Sequence, residues 1–104
     1  MELKNIKKIA CIGAGTIGAS WATCYLWNGF YVNIQSRREK SILDAKELIT
    51  SNLKFLNEKG LITTEMLDDA LSRASYTTDI KEALSGVQFI HESAAETYEV
   101  KKDI

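Results

Sequence analysis

Gly13, Gly15 and Gly18 form a Gly-x-Gly-x-x-Gly run through Gly13-Ala14-Gly15-Thr16-Ile17-Gly18. Glycines at this spacing suit a phosphate cradle only when a strand precedes them and a helix follows. Both neighbours have that character. Lys8-Ile9-Ala10-Cys11-Ile12 is short, apolar and rich in isoleucine, and Thr16 to Asn28 carries Ile17, Trp21, Cys24 and Tyr25 at helical spacing. Gly13 then allows a tight turn, Gly15 lets the backbone approach a pyrophosphate, and Gly18 lets helix and strand pack closely. Unpaired N–H groups at the helix start, aligned with its dipole, favour the negative charge of the pyrophosphate. The run predicts a dinucleotide site contacted by Gly13, Ala14, Gly15, Thr16, Ile17 and Gly18.

The identity of the dinucleotide turns on the end of the second strand. A site for NAD places an Asp or Glu there, about 20 residues past the glycines, to accept hydrogen bonds from the ribose 2′-OH. The aligned residue is Ser36, followed by Arg37 and Arg38. A missing carboxylate removes repulsion toward a 2′-phosphate, and arginine offers it forked, charge-assisted donors. Ser36, Arg37 and Arg38 therefore favour NADP slightly while leaving NAD open. Ser36-Arg37-Arg38-Glu39 also reads as a capping box for the helix that follows. His91 is the sole histidine. Glu92 beside it points to the opposite face of a strand, so the two make a poor acid–base dyad, and a packing or cofactor-side role is expected for His91.

These residues need a scaffold, and strand and helix signals alternate along the chain. Asn28-Gly29 stops the first helix, Phe30 to Gln35 reads as a second strand, and Ile42, Ala45, Ile49, Leu53 and Leu56 share one face of a long helix ended by Lys59-Gly60. A shorter helix over Thr64 to Leu71 precedes a strand at Ala74-Ser75-Tyr76-Thr77. Asp79-Ile80-Lys81-Glu82 forms a capping box for a short helix ending by Ser85-Gly86. Val87-Gln88-Phe89-Ile90 is the fourth strand, and a last helix begins near Thr97 or Tyr98. Strands separated by helices imply a Rossmann-like α/β fold: an open parallel sheet of about four strands with helices on both faces. Ligands then bind beyond the carboxyl ends of the strands, between the loops after Ile12 and Ile90.

Composition narrows the remaining classes. The chain has 104 residues and a formal net charge of −1 with no basic block, which points away from nucleic acid and anionic membranes. No apolar stretch approaches the roughly 20 residues that span a bilayer, and Met1 to Lys8 is polar. A cytoplasmic location is expected, with Cys11 and Cys24 as buried, reduced thiols and no metal site.

The run Gly13-Ala-Gly-Thr-Ile-Gly-Ala-Ser-Trp-Ala22 resembles the NAD-binding domain of the 3-hydroxyacyl-CoA dehydrogenase superfamily. Ser20-Trp21-Ala22 is similar to the branch that holds lambda-crystallin (gulonate 3-dehydrogenase) and carnitine dehydrogenase. Asn28-Gly29-Phe30, Asn57-Glu58-Lys59-Gly60-Leu61-Ile62, Thr77-Thr78-Asp79 and Phe89-Ile90-His91-Glu92-Ser93-Ala94-Ala95-Glu96 extend the likeness along the chain. The resemblance implies that Glu96 and Lys101 border the nicotinamide end of the cofactor and that Lys59 reaches a CoA phosphate. Two departures stand out: Ala95 replaces the family's usual proline, and Ser36 replaces the acidic residue.

The resemblance further implies an oxidoreductase of the kind used in fatty acid metabolism, oxidising a 3-hydroxy group to a 3-keto group by hydride transfer. Its substrate would be an acyl-CoA, carnitine or a sugar acid, and its assembly a homo-oligomer. The family's acid–base histidine and its partner come from later sequence, so no catalytic residue is assigned here. Residues 1–104 are read as the N-terminal part of the dinucleotide-binding domain, without the helical substrate and dimerisation domain, and inactive alone. The alternative is a non-enzymatic nucleotide-binding or crystallin-like structural module.

Overall fold

The computed structural model describes residues 6–13 and 15–92. The strands are β1 (Lys8–Ile12), β2 (Tyr31–Gln35), β3 (Ala74–Thr77) and β4 (Phe89–Glu92). The helices are α1 (Thr16–Trp27), α2 (Glu39–Glu58), α3 (Thr64–Ser72) and α4 (Ile80–Leu84). All pairings among these strands are parallel, in the order β3-β2-β1-β4. The chain first builds outward from β1 to β2 and β3, then returns to place β4 on the other side of β1. That reversal puts a crevice beyond the carboxyl ends of β1 and β4, where open α/β sheets hold ligands.

The expected α/β architecture is present, with helices on both faces. Ile9 and Cys11 of β1 and Val32 and Ile34 of β2 point to one face. There they pack with Ala19, Ala22 and Leu26 of α1, Ala45, Ile49 and Leu53 of α2, and Leu67 and Ala70 of α3. Alternation along a strand sends Ala10, Asn33 and Gln35 to the other face, where α4 lies. The long helix buries Ala45, Ile49 and Leu53, the centre of its expected stripe. Among the described residues, no helix is long and apolar enough to cross a membrane.

Five local expectations need correction. The first concerns α1, which buries Gly18, Ala19, Ala22, Thr23 and Leu26 rather than the stripe of Ile17, Trp21, Cys24 and Tyr25. Ile17 and Trp21 are 52% and 46% exposed. The helix is apolar on most sides, so periodicity does not choose its face; small residues do, because they let it sit close to the sheet. The second follows from the first: Cys24 is exposed, whereas Cys11 is buried as expected.

The third correction is at α2. Ser36 does not cap it; Arg38 occupies the N-cap in extended conformation and makes no side-chain cap hydrogen bond. The Ser36 N–H instead donates to the Thr77 carbonyl at 3.3 Å, extending the β2–β3 ladder and delaying the helix. The fourth is the register of β4, which starts at Phe89 rather than Val87. Gln88 is used otherwise: its Oε1 accepts from the Lys7 and Lys8 N–H groups, each at 2.9 Å. At α4 the cap is only half of the expected box. Asp79 accepts from the Lys81 N–H at 2.9 Å, but Glu82 turns to the Thr77 hydroxyl, which in turn accepts from the Asp79 N–H at 3.0 Å.

Arg73 fastens the opposite end of the sheet. Its guanidinium donates to the Leu26 carbonyl at 2.6 Å and the Phe30 carbonyl at 3.2 Å, and pairs with Asp69. These bonds join the end of α1 to the start of β2 and fix the angle at which α1 presents its other end to the crevice.

Candidate cofactor site

The glycine-rich turn starts where β1 ends. Gly13 has φ 79°, a left-handed angle that a side chain strains against. Its N–H donates to the Gln35 carbonyl at 2.9 Å, so the turn leaves the sheet beside the last residue of β2. Gly15 follows as the N-cap of α1, with an extended φ of −128°. A Cβ built on Gly15 meets no protein atom within 4 Å. Neither backbone angle nor internal packing therefore demands glycine at this position. The space in front of the Gly15 backbone is open.

The helix starts agree with that reading. Thr63 caps α3 and Asp79 caps α4 by side-chain hydrogen bonds, whereas α1 and α2 have no side-chain cap. These two helices follow β1 and β2, the strands that carry the candidate site. The first turn of α1 also contains no acidic residue, so its positive dipole end is left for an anion. Thr16 and Ile17 are exposed in that turn, and Gly18 is buried one residue later.

Ser36 is half-buried at the end of β2, and Arg37 and Arg38 are exposed in the link to α2. Because Gly13 is bonded to Gln35, the tripeptide begins one residue from the glycine turn. Ser36, Arg37 and Arg38 thus follow directly on the last residue of β2. Ala14, Glu96 and Lys101 lie outside the described residues. Lys59 is the C-cap of α2, and its Nζ stands 5.4 Å from the Phe55 ring centroid.

His91 lies within β4 opposite Cys11, on the face covered by α1. Its Nδ1 is 2.8 Å from the Tyr25 hydroxyl, and its ring centroid is 5.0 Å from that of Trp21. These contacts pack the His91 ring against α1. Burial, reinforced by the neighbouring Cys11 and Cys24 thiols, holds the Tyr25 phenol above its ordinary range. Desolvation pushes the Cys11 thiol from about 9 to about 12, leaving it an inert core group.

The site contains one residue that periodicity did not single out. Gln35 is 2% exposed at the end of β2. Its Oε1 lies 3.3 Å from the Gly13 N–H, and its Nε2 donates to the Thr78 carbonyl at 3.2 Å. The available signal was a carboxamide in a strand otherwise read from Tyr31, Val32 and Ile34.

The family profile described as 3-hydroxyacyl-CoA dehydrogenase, NAD binding domain, matches residues 8–104. The chain belongs to this family. Relatives within or near this NAD-binding family include an L-carnitine dehydrogenase from Streptomyces griseus, 29% identical over 97% of this chain and 29% of that protein. The human lambda-crystallin homolog is 32% identical over 92% of this chain and 30% of its own length. The chain therefore spans less than a third of the curated relatives it matches. Among solved structures, 3-hydroxybutyryl-CoA dehydrogenase from Escherichia coli superposes with a TM-score of 0.81 at 31% identity, over 95% of this chain and 21% of that one. FadB2 from Mycobacterium tuberculosis gives 0.83 at 28% identity, over 94% and 34%. The Rossmann-like sheet and the NAD-binding assignment both stand on these matches.

Proposed function

We propose that this NAD-binding domain holds NAD or NADP for an oxidoreductase that oxidises a 3-hydroxy group to a 3-keto group. The bound nicotinamide supplies the hydride acceptor. The chain's own residues receive the rest of the cofactor. Gly13 sets the turn, Gly15 leaves room for the pyrophosphate, and the uncapped start of α1 offers N–H groups to its oxygens. Ser36, Arg37 and Arg38 receive the adenosine ribose, and the two guanidinium groups favour a 2′-phosphate. Glu96 and Lys101 are assigned to the nicotinamide end on motif likeness alone. The names of the relatives support an acyl-CoA or carnitine as substrate, with a sugar acid as a further member of the class.

Phe89 and Ile90, 40% and 48% exposed on β4, support self-association. A monomer in sedimentation at high concentration would count against it. The free cysteines Cys11 and Cys24 support a reducing, cytoplasmic setting. The lambda-crystallin homolog among the relatives supports a second reading, in which the same domain serves a structural use. Cofactor binding without turnover in a longer form of the protein would favour that reading.

The observation that carries the proposal is the open space at Gly15. Replacing Gly15→Ala should change stability by no more than about 1 kcal/mol, because the entropy removed from the unfolded chain opposes the poorer N-cap that alanine makes. It should also weaken NADH binding at least ~10-fold, because the methyl occupies the pyrophosphate's approach. Fluorescence titration beside thermal melting reads both effects. Undiminished NADH binding by the variant would overturn the cradle. In the wild-type chain, NADPH binding no tighter than NADH would sink the role given to Arg37 and Arg38.

A further inference from the structure

We propose that Gln35 is a positioning residue for the glycine-rich loop, tying the Gly13 turn to the β3–α4 connection and so fixing where the dinucleotide phosphates are received. The inference rests on the cofactor reading above and adds to it a residue outside the glycine motif.

A strand between two others is ordinarily filled with apolar side chains, and β2 supplies Val32 and Ile34 on its helix-packed face. Gln35 points to the other face and is nearly inaccessible, so its carboxamide is worth burying only where both of its ends are hydrogen-bonded. They are. Oε1 accepts from the Gly13 N–H at 3.3 Å, sharing that proton with the Gln35 main-chain carbonyl at 2.9 Å. Nε2 donates to the Thr78 carbonyl at 3.2 Å. One side chain thus joins the first residue of the phosphate turn to a segment 43 positions beyond itself in sequence.

The segment it anchors to is itself held in place. Thr77, one residue before Thr78, accepts from the Ser36 N–H through its carbonyl and from the Asp79 N–H through its hydroxyl. Asp79 then caps α4. The carboxamide therefore references the Gly13 turn to an ordered loop rather than to solvent. The geometric consequence falls on the next residues of the turn. Gly13 is held at φ 79° by a bonded N–H, and Gly15 opens α1 two residues later. Displacing the turn moves the N–H groups that receive the pyrophosphate, and misplacement by about an ångström is enough to weaken such contacts strongly.

Replacing Gln35→Met keeps length and volume but removes both hydrogen bonds. In the full 104-residue chain, at a temperature where circular dichroism shows both proteins folded, we expect NADH to bind the variant at least ~10-fold more weakly. We also expect the Gly13 amide to exchange faster with solvent. Equal NADH affinity in variant and wild type would overturn the role of Gln35 and leave the cofactor reading intact. Failure of the wild-type chain to bind NADH would instead overturn the cofactor reading itself. If the variant does not fold, nuclear magnetic resonance of the wild-type chain decides. Gln35 side-chain amide protons that are protected from exchange and shift on NADH addition support the proposal. Fast-exchanging protons insensitive to NADH overturn it.

Discussion

The two faces of the sheet are built from different chemistry. On one, Ile9, Cys11, Val32 and Ile34 meet three helices in an apolar core in which Leu26, Ile49 and Leu53 are fully buried. On the other, Ala10, Asn33 and Gln35 meet the short helix α4, and the inward-facing side chains of β2 are carboxamides. Asn33 Nδ2 donates to the Ala83 carbonyl at 2.8 Å, and Gln35 bridges Gly13 and Thr78. The first face gains stability from area, which is non-directional. The second gains direction, because a buried amide is tolerable only in the geometry that satisfies it. Stability is thus concentrated under α1, α2 and α3, and the placement of the ligand-facing loops is concentrated under α4.

Substitutions can break this contrast. The largest effect is expected on the apolar face: Leu26→Ala should lower unfolding free energy by about 2–5 kcal/mol in chemical denaturation, through lost transfer energy and a cavity. A loss below about 1 kcal/mol would mean that this face is not the main store of stability. On the polar face, Asn33→Ala should cost about 1–3 kcal/mol, since the Ala83 carbonyl loses its buried donor. A cost matching that of Leu26→Ala would erase the distinction between the faces.

The last effect concerns how dry the apolar face is, and it is read only in alkali. The Cys11 thiol is raised by desolvation to about 12 in the folded chain. Its contribution to stability is therefore intact below about pH 9 and is lost as pH rises toward 12, because the unfolded chain ionises first. Melts from pH 8 upward should show that decline, and Cys11→Ala should flatten it. At pH 8 a thiol reagent should label Cys24 and spare Cys11 until denaturant is added. Labelling of both in the folded chain would show that water reaches this face.

Much of the scaffold was legible from local sequence. β1 and β3 fall on the residues read for them, and α2 buries the middle of its stripe. Local chemistry sufficed there because the apolar period and the terminating Asn28-Gly29 and Lys59-Gly60 pairs agree. Legibility failed where two local readings competed. For α1, large apolar residues marked one face and small residues another; close approach to the sheet selected the small ones. For Ser36, a capping signal competed with continuation of the β2–β3 ladder, and the hydrogen bond to Thr77 prevailed. For β4, paired residues begin at Phe89, although the Gln88 N–H already donates to the Lys8 carbonyl at 3.0 Å while its side chain accepts from the Lys7 and Lys8 amides. The glycines and Ser36-Arg37-Arg38 stand out as motifs in the sequence, whereas the hydrogen bonds of Gln35 do not.

The sequence alone determined the order of strands and helices along the chain, the position of the glycine-rich turn after β1 and the absence of an acidic residue at the end of β2. Each of these is carried by residues within a few positions of one another, where spacing and backbone preference act directly. Tertiary structure alone decided which face of α1 is buried, that Ser36 does not cap α2, and that Gln35 spans from Gly13 to Thr78. The partners of that carboxamide lie 22 and 43 residues away along the chain, so only the folded sheet brings them within hydrogen-bond reach.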